Sequence, residues 1–207
     1  MRVALHNASL VAFGIFLLLL QTALFVVADI DSMTIKGSHF FYQANGSQFF
    51  IRGVAYQVQG RYTGILASVI DPLADACMQQ FADDGIYVVL DLAGNDLVIN
   101  RTAPAWSTDL YARYNSVIDN MQQYNNTLGF VAGDQVSSDT DSTAVAGFGR
   151  AAVRDMKTYM AQQDYRTESI SRSIGIGITT NDDASIREDL AAYLNCGNQG
   201  SAIDFYG

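Results

Sequence analysis

Gly85-Ile86-Tyr87-Val88-Val89-Leu90-Asp91 is an unbroken apolar run that stops at a carboxylate. A strand covered by other layers on both faces reads this way, because neither face has to meet water. The pattern recurs downstream. Leu128-Gly129-Phe130-Val131-Ala132 stops at Gly133-Asp134-Gln135, Ile174, Ile176 and Ile178 alternate up to Asn181-Asp182-Asp183, and Asp204-Phe205-Tyr206 opens a further strand. Helical stripes lie between them. Leu110, Tyr114, Val117, Ile118 and Met121 follow Ser107-Thr108 at helical spacing, Phe148, Ala152, Met156 and Tyr159 do the same, and Ile186 and Leu190 mark a short helix. Such spacing gathers apolar side chains on one helix face. Upstream, Asp71-Pro72 is a helix start, with Asp as the cap and Pro in the first turn, and Leu73, Cys77 and Phe81 follow at spacing four. Earlier still, Phe40-Phe41-Tyr42 and Phe49 to Tyr56 flank Asn45-Gly46, a hairpin signal. Strands alternating with helices in this order predict a parallel α/β fold.

Polar residues gather where these strands end: Gln57, Asp91, Asp134, Gln135 and Asp182. In a barrel or an open α/β sheet that edge hosts the ligand. No Gly-rich loop follows a strand, which disfavours a nucleotide-binding fold. The chain has 207 residues, against about 250 for a complete (β/α)8 barrel, and it stops inside an apparent strand, so a partial barrel is expected. Apolar residues make up 49% and charged residues 16%, enough for a packed core. Twelve Lys and Arg stand against 21 Asp and Glu, a net charge of −9. That balance argues against nucleic acid as a partner, since phosphate backbones need a basic face. No metal-ligand constellation and no cofactor motif is read from the sequence. Only two Glu occur, Glu168 and Glu188.

Residues 1–28 carry a basic start, the apolar run Leu10 to Leu20 and small residues at Val26-Val27-Ala28. This is the order of a secretory signal peptide, the alternative being an uncleaved membrane anchor. Export is compatible with disulfides and with glycosylation at Asn45, Asn100 and Asn125, each followed two residues later by Ser or Thr. Cys77 and Cys196 are the only cysteines; whether they pair depends on a Cα separation below about 7 Å, which sequence does not fix.

The run from Phe40 through Asn45-Gly46-Ser47-Gln48-Phe49-Phe50-Ile51-Arg52-Gly53-Val54-Ala55-Tyr56-Gln57 closely resembles the opening of the fungal β-1,3-glucanosyltransferases of glycoside hydrolase family 72. The similarity continues through Asp71-Pro72-Leu73-Ala74, Ile86 to Ala93, Asn100-Arg101, Trp106, Asp109-Leu110, Leu128-Gly129-Phe130, Ala151 to Asp155, Asn181-Asp182-Asp183, Arg187, Tyr193, Cys196-Gly197 and Asp204 to Gly207. It implies a (β/α)8 barrel that splits β-1,3-glucan internally and transfers the new end to another chain. The family works at the cell surface, held to the plasma membrane by a GPI lipid. The implied domain organisation is a signal peptide over 1–28 and an incomplete catalytic domain over 29–207.

The family's retaining chemistry uses two Glu about 5 Å apart, one acid/base and one nucleophile. The acid/base Glu sits in a Gly-Asn-Glu-Val run that here reads Gly133-Asp134-Gln135-Val136. The resemblance therefore puts the acid/base position at Gln135, whose amide cannot give or take the proton, and a substrate-contacting position at Asp134. The nucleophile is expected beyond Gly207; neither Glu168 nor Glu188 ends a strand, and Gln135→Glu alone is expected to leave turnover unrestored. Gln57, Asp91, Asp182 and Arg187 fall at the sugar-binding edge by resemblance. Each has an ordinary alternative: a strand-end Asp often caps a helix, and Arg187 can pair with Asp183 one turn earlier. Trp106 is either a sugar-stacking or a packing residue.

Asp71-Pro72-Leu73-Ala74 runs almost directly into Cys77-Met78, where the family has a further helix, strand and Cys. The implied gap is on the order of 30 residues, about one βα unit. It leaves both cysteines without their family partners, and the family's C-terminal GPI signal is likewise not found. Three readings compete: an active enzyme of that family, a non-catalytic glucan-binding wall protein, and a defective gene product. Loss of the acid/base and of the nucleophile favours an impaired or inactive chain.

Overall fold

The computed structural model describes residues 30–53, 72–94, 97–134, 140–165, 173–179 and 184–207. Three short strands come first: β1 (Met33–Lys36), β2 (His39–Tyr42) and β3 (Gln48–Phe49), joined antiparallel in the order β1-β2-β3. The Asn45-Gly46 hairpin forms, but its second strand ends at Phe49; residues 50–53, expected to continue it, form no strand, and Phe50 and Ile51 are exposed. Gly46 takes φ +69°, a left-handed value that its missing Cβ permits, and Phe40 faces Phe49 across the turn. The Val54–Tyr56 end of the expected second strand lies outside the described residues.

The rest alternates strand and helix: α1 (Pro72–Asp83), β4 (Val88–Asp91), α2 (Thr108–Met121), β5 (Thr127–Asp134), a 3-10 turn over Thr140–Val145 running into α3 (Ala146–Gln162), β6 (Gly175–Thr179), α4 (Ala184–Leu194) and β7 (Phe205–Tyr206). The strands β4-β5-β6-β7 pair in that order, all parallel. Each strand sits beside the next one in sequence, the order of a (β/α) barrel rather than of a doubly wound sheet. Four parallel strands with their helices are a partial barrel.

Sequence patterning explains why the helices lie where they do. All five stripe residues of α2, Leu110, Tyr114, Val117, Ile118 and Met121, are buried, and Ser107 caps its start by accepting from Leu110 N–H. They pack with Val153, Met156 and Met160 of α3 against Val88 and Leu90 of β4, Phe130 and Ala132 of β5 and Ile176 and Ile178 of β6. β4 departs from the expectation of burial on both faces. It is an edge strand of the described sheet, and Val89 and Ile86 are 37% and 46% exposed.

The opposite, inner face of the sheet has its own cluster: Met33, Ile35 and Phe40 from the hairpin, Leu128 and Val131 of β5, and Phe205 of β7. Met33 C=O accepts from Ser173 N–H just before β6, and Tyr87 hydroxyl just before β4 donates to Asp31 C=O. The hairpin thus lies across the N-terminal ends of the parallel strands. Phe205 fits only because Gly129, Gly175 and Gly177 face it. An ideal Cβ on Gly177 would stand 2.4 Å from the Phe205 ring, and one on Gly129 2.8 Å. Behind this face, Asp204 ties three elements together. Its carboxylate accepts from Lys157 Nζ of α3 at 2.6 Å and from Ile176 N–H of β6 at 2.8 Å.

Candidate functional site

With the hairpin over the N-terminal ends, the C-terminal strand ends are the edge at which α/β barrels hold their ligands. Side chains alternate along a strand. Leu90 and Ile178 belong to the helix-facing core, so Asp91 and Thr179 turn to the inner side. On β5 the register slips between Val131 and Gly133, with Ala132 as the extra residue. A bulge of this kind re-aims the residues after it. Here it brings Asp134 into register with Thr179, whose hydroxyl donates to Asp134 Oδ1 at 2.6 Å.

Asp91 Oδ1 accepts from Ala93 N–H at 2.9 Å. Its pKa is pushed up to about 6: burial raises it most, the Ala93 N–H lowers it, the Asp134 carboxylate raises it again and the Arg113 guanidinium lowers it. Two carboxylates on adjacent strand ends form an acceptor set suited to the hydroxyls of a neutral polyol. Tyr114 of α2 donates its hydroxyl to Ala132 C=O at 3.0 Å and so braces the β5 bulge from the helix side.

Among the residues singled out by sequence, Asp91 and Asp134 come together. Arg187 lies near the start of α4, four residues into it and exposed. Gln57, Gln135 and Asp182 lie outside the described residues. Trp106 packs: its Nε1 donates to Asp155 Oδ2 at 2.8 Å, and its ring meets Tyr114 with centroids 5.0 Å apart. Cys77 and Cys196 are both free and exposed, so the Cys77–Cys196 bridge is not made. Thr179, Arg113 and Tyr114 carry the site's support; the sequence marks Thr179 only as the end of the Ile174–Ile178 alternation and Tyr114 only as a member of the α2 stripe, and gives Arg113 no signal.

One consequence is measurable. Unfolded, the Asp91 carboxyl titrates near 3.8; folded, near 6. The native state therefore holds this proton more tightly. The associated stability is fully present below about pH 4 and lost as pH rises through 6. Asp91→Asn is expected to raise unfolding free energy at pH 7 by on the order of 2 kcal/mol, allowing for partial solvent screening. Urea titrations of both proteins should coincide at pH 4. A variant no more stable than the parent at pH 7 would show that burial of this charge costs little.

The glucanosyltransferase family of glycoside hydrolases, family 72, matches residues 22–76 and 74–207. The two stretches meet at 74–76, immediately before Cys77. A 1,3-beta-glucanosyltransferase of Arthroderma benhamiae is 38% identical over 230 aligned residues, covering 88% of this chain and 41% of that protein. The 1,3-beta-glucanosyltransferase GAS2 of Saccharomyces cerevisiae is 35% identical over 214, covering 85% and 37%. Both alignments are longer than the 207-residue chain, so these relatives carry internal residues for which this chain has no counterpart. The chain spans about two fifths of their length. Saccharomyces cerevisiae Gas2 solved with laminaritriose and laminaritetraose superposes with a TM-score of 0.74 at 37% identity, covering 86% of this chain and 45% of that one. A Glu-to-Gln mutant of Gas2, solved with laminaritetraose and laminaripentaose, gives the same values.

Proposed function

The chain belongs to the glucanosyltransferase family of glycoside hydrolases, family 72, and from that premise we propose that it binds β-1,3-glucan along the C-terminal ends of its parallel strands while catalysing transfer poorly or not at all. The ancestral reaction is internal cleavage of β-1,3-glucan and transfer of the new end to another chain. Residues 29–207 act as one catalytic-type domain, delivered to the cell surface by residues 1–28. Asp91, Asp134, Asp182, Gln57 and Arg187 contact the sugar. Carboxylates accept hydrogen bonds from sugar hydroxyls, and Arg187 donates. Neither kind of contact needs a metal.

The observation that carries the reading is Gln135 following Asp134 at the end of β5. A primary amide hydrogen-bonds a glycosidic oxygen but does not protonate it, and loss of general acid/base help costs about 10²–10⁴-fold in rate. A complex of laminaripentaose with a glutamate-to-glutamine Gas2 mutant supports retention of oligosaccharide binding by family members altered in this chemical sense. Calorimetric titration of the purified chain with laminaripentaose should show saturable binding, and a chromatographic transfer assay should show product at or near background. Absence of binding in a protein with intact near-UV circular dichroism would overturn the glucan-binding reading, and loss of the near-UV signal would favour the defective gene product. Turnover well above background would overturn the impaired reading.

A further inference from the structure

We infer that Tyr114 is a positioning residue: its hydroxyl, bonded to the carbonyl of the extra residue in β5, holds the bulge that turns Asp134 to the inner side of the sheet beside Thr179. The alternation along β5 shows what the bulge does. Phe130 and Ala132 face the helix layer, and Val131 faces the inner cluster. Strict alternation from there would turn Gly133 inwards and Asp134 towards the helices. The slip instead sets Gly133 opposite Ile178 and Asp134 opposite Thr179. Ile178 belongs to the helix-facing core, so Asp134 lies with Thr179 on the other side, where the Thr179 hydroxyl donates to it at 2.6 Å. One extra residue decides which face of the sheet carries this carboxylate.

A bulge takes its extra residue out of the regular ladder, and a buried carbonyl needs a partner. Ala132 is fully buried, and the Tyr114 hydroxyl donates to its C=O at 3.0 Å. Tyr114 reaches that carbonyl from the middle of α2 and is itself fully buried. The Trp106 ring lies against it, with centroids 5.0 Å apart, and Trp106 is tied to α3 through Asp155. The phenol is thus held from both helices. Phenylalanine at this position fills the same space and lacks only the donor. The effect on Asp134 stands on this geometry alone; the effect on ligand rests on the reading that Asp134 contacts glucan.

Carbon-detected NMR of the full chain, with the Asp134 carboxyl assigned by its absence in Asp134→Asn, tests the first effect. Thr179→Val gives the chemical shift of this carboxyl without its hydroxyl donor. Tyr114→Phe should move the resonance most of the way to that position. A purely space-filling Tyr114 leaves it unmoved, and that result overturns the inference. If Tyr114→Phe loses its near-UV circular dichroism, Trp106→Leu, which loosens the phenol but keeps its hydroxyl, decides: a smaller movement in the same direction is expected, and none overturns the inference. Calorimetric titration with laminaripentaose is the second arm. Tyr114→Phe and Thr179→Val should each weaken binding about fivefold, as loss of one hydrogen bond does. The double variant should bind no more weakly than the worse of the two, because both changes act on Asp134. Fully additive losses place the action of the hydroxyl elsewhere and overturn the inference. A moved Asp134 resonance with unchanged binding in every variant leaves Tyr114's role standing and removes Asp134 from the glucan contacts.

Discussion

Lys157→Met is expected to cost about 3–5 kcal/mol of stability, the range seen when one partner of a buried ion pair is removed. Lys157 and Asp204 have side chains only 14% and 4% exposed, with Nζ 2.6 Å from Oδ1. Methionine fills nearly the same space but leaves a buried carboxylate without its cation. A second acceptor contact of Asp204, from Ile176 N–H, is to a neutral donor and does not replace the cation. The loss of Lys157 also removes a donor to Gln199 C=O. The double variant Lys157→Met, Asp204→Asn should recover more than half of the loss. Its neutral amide still accepts from Ile176 N–H and has no charge to bury. Urea unfolding of the four members of this cycle measures the coupling. If Lys157→Met costs less than about 1 kcal/mol, the pair is solvated in practice and the tie between α3, β6 and β7 is weak.

Phe205→Ala should cost about as much, roughly 3–5 kcal/mol. The cost of a large-to-small change depends on how far the surroundings collapse into the space left. Around Phe205 they cannot collapse far, because Gly129, Gly175 and Gly177 present no side chains to move. The value is therefore expected near the top of the range. The reverse insertion is also unfavourable. Gly177→Ala would place a methyl 2.4 Å from the ring, and overpacking of this kind typically costs about 1–3 kcal/mol. Combining Gly177→Ala with Phe205→Leu should restore part of either loss. Simple additivity of the two would mean that ring and glycine do not share one space. Thermal unfolding of Gly177→Ala, Phe205→Leu and the double variant separates these outcomes.

The parts of this fold legible in the sequence are those decided locally. The α2 stripe at Leu110, Tyr114, Val117, Ile118 and Met121 mixes spacings of three and four, follows the helical period, and is buried at every position. The α1 stripe at Leu73, Cys77 and Phe81 uses four alone. At 3.6 residues per turn that spacing drifts by about 40° per step, and the structure buries Met78 while leaving Cys77 exposed. Asp91 and Asp134 are legible because each ends an apolar run. Arg113 is not, since nothing in a helix sequence states which backbone atoms its far end will meet. The exposure of Val89 and Ile86 is equally hidden. An apolar strand reads alike at the centre of a sheet and at its edge.

The seating of the hairpin carries a consequence for how the chain reaches this state. Phe40 meets Phe205 with ring centroids 5.9 Å apart, although three of the four parallel strands and all four helices lie between them in sequence. Closing so long a loop is entropically expensive before any contact rewards it, and topologies rich in such distant pairings acquire structure slowly. During synthesis the hairpin is made first, yet the ring it packs against is translated only after β4, β5 and β6. Until then Met33, Ile35 and Phe40 lack that cover, so the nascent chain spends much of its growth with apolar surface facing water, and the lower end of the strand array is sealed only as a late kinetic event.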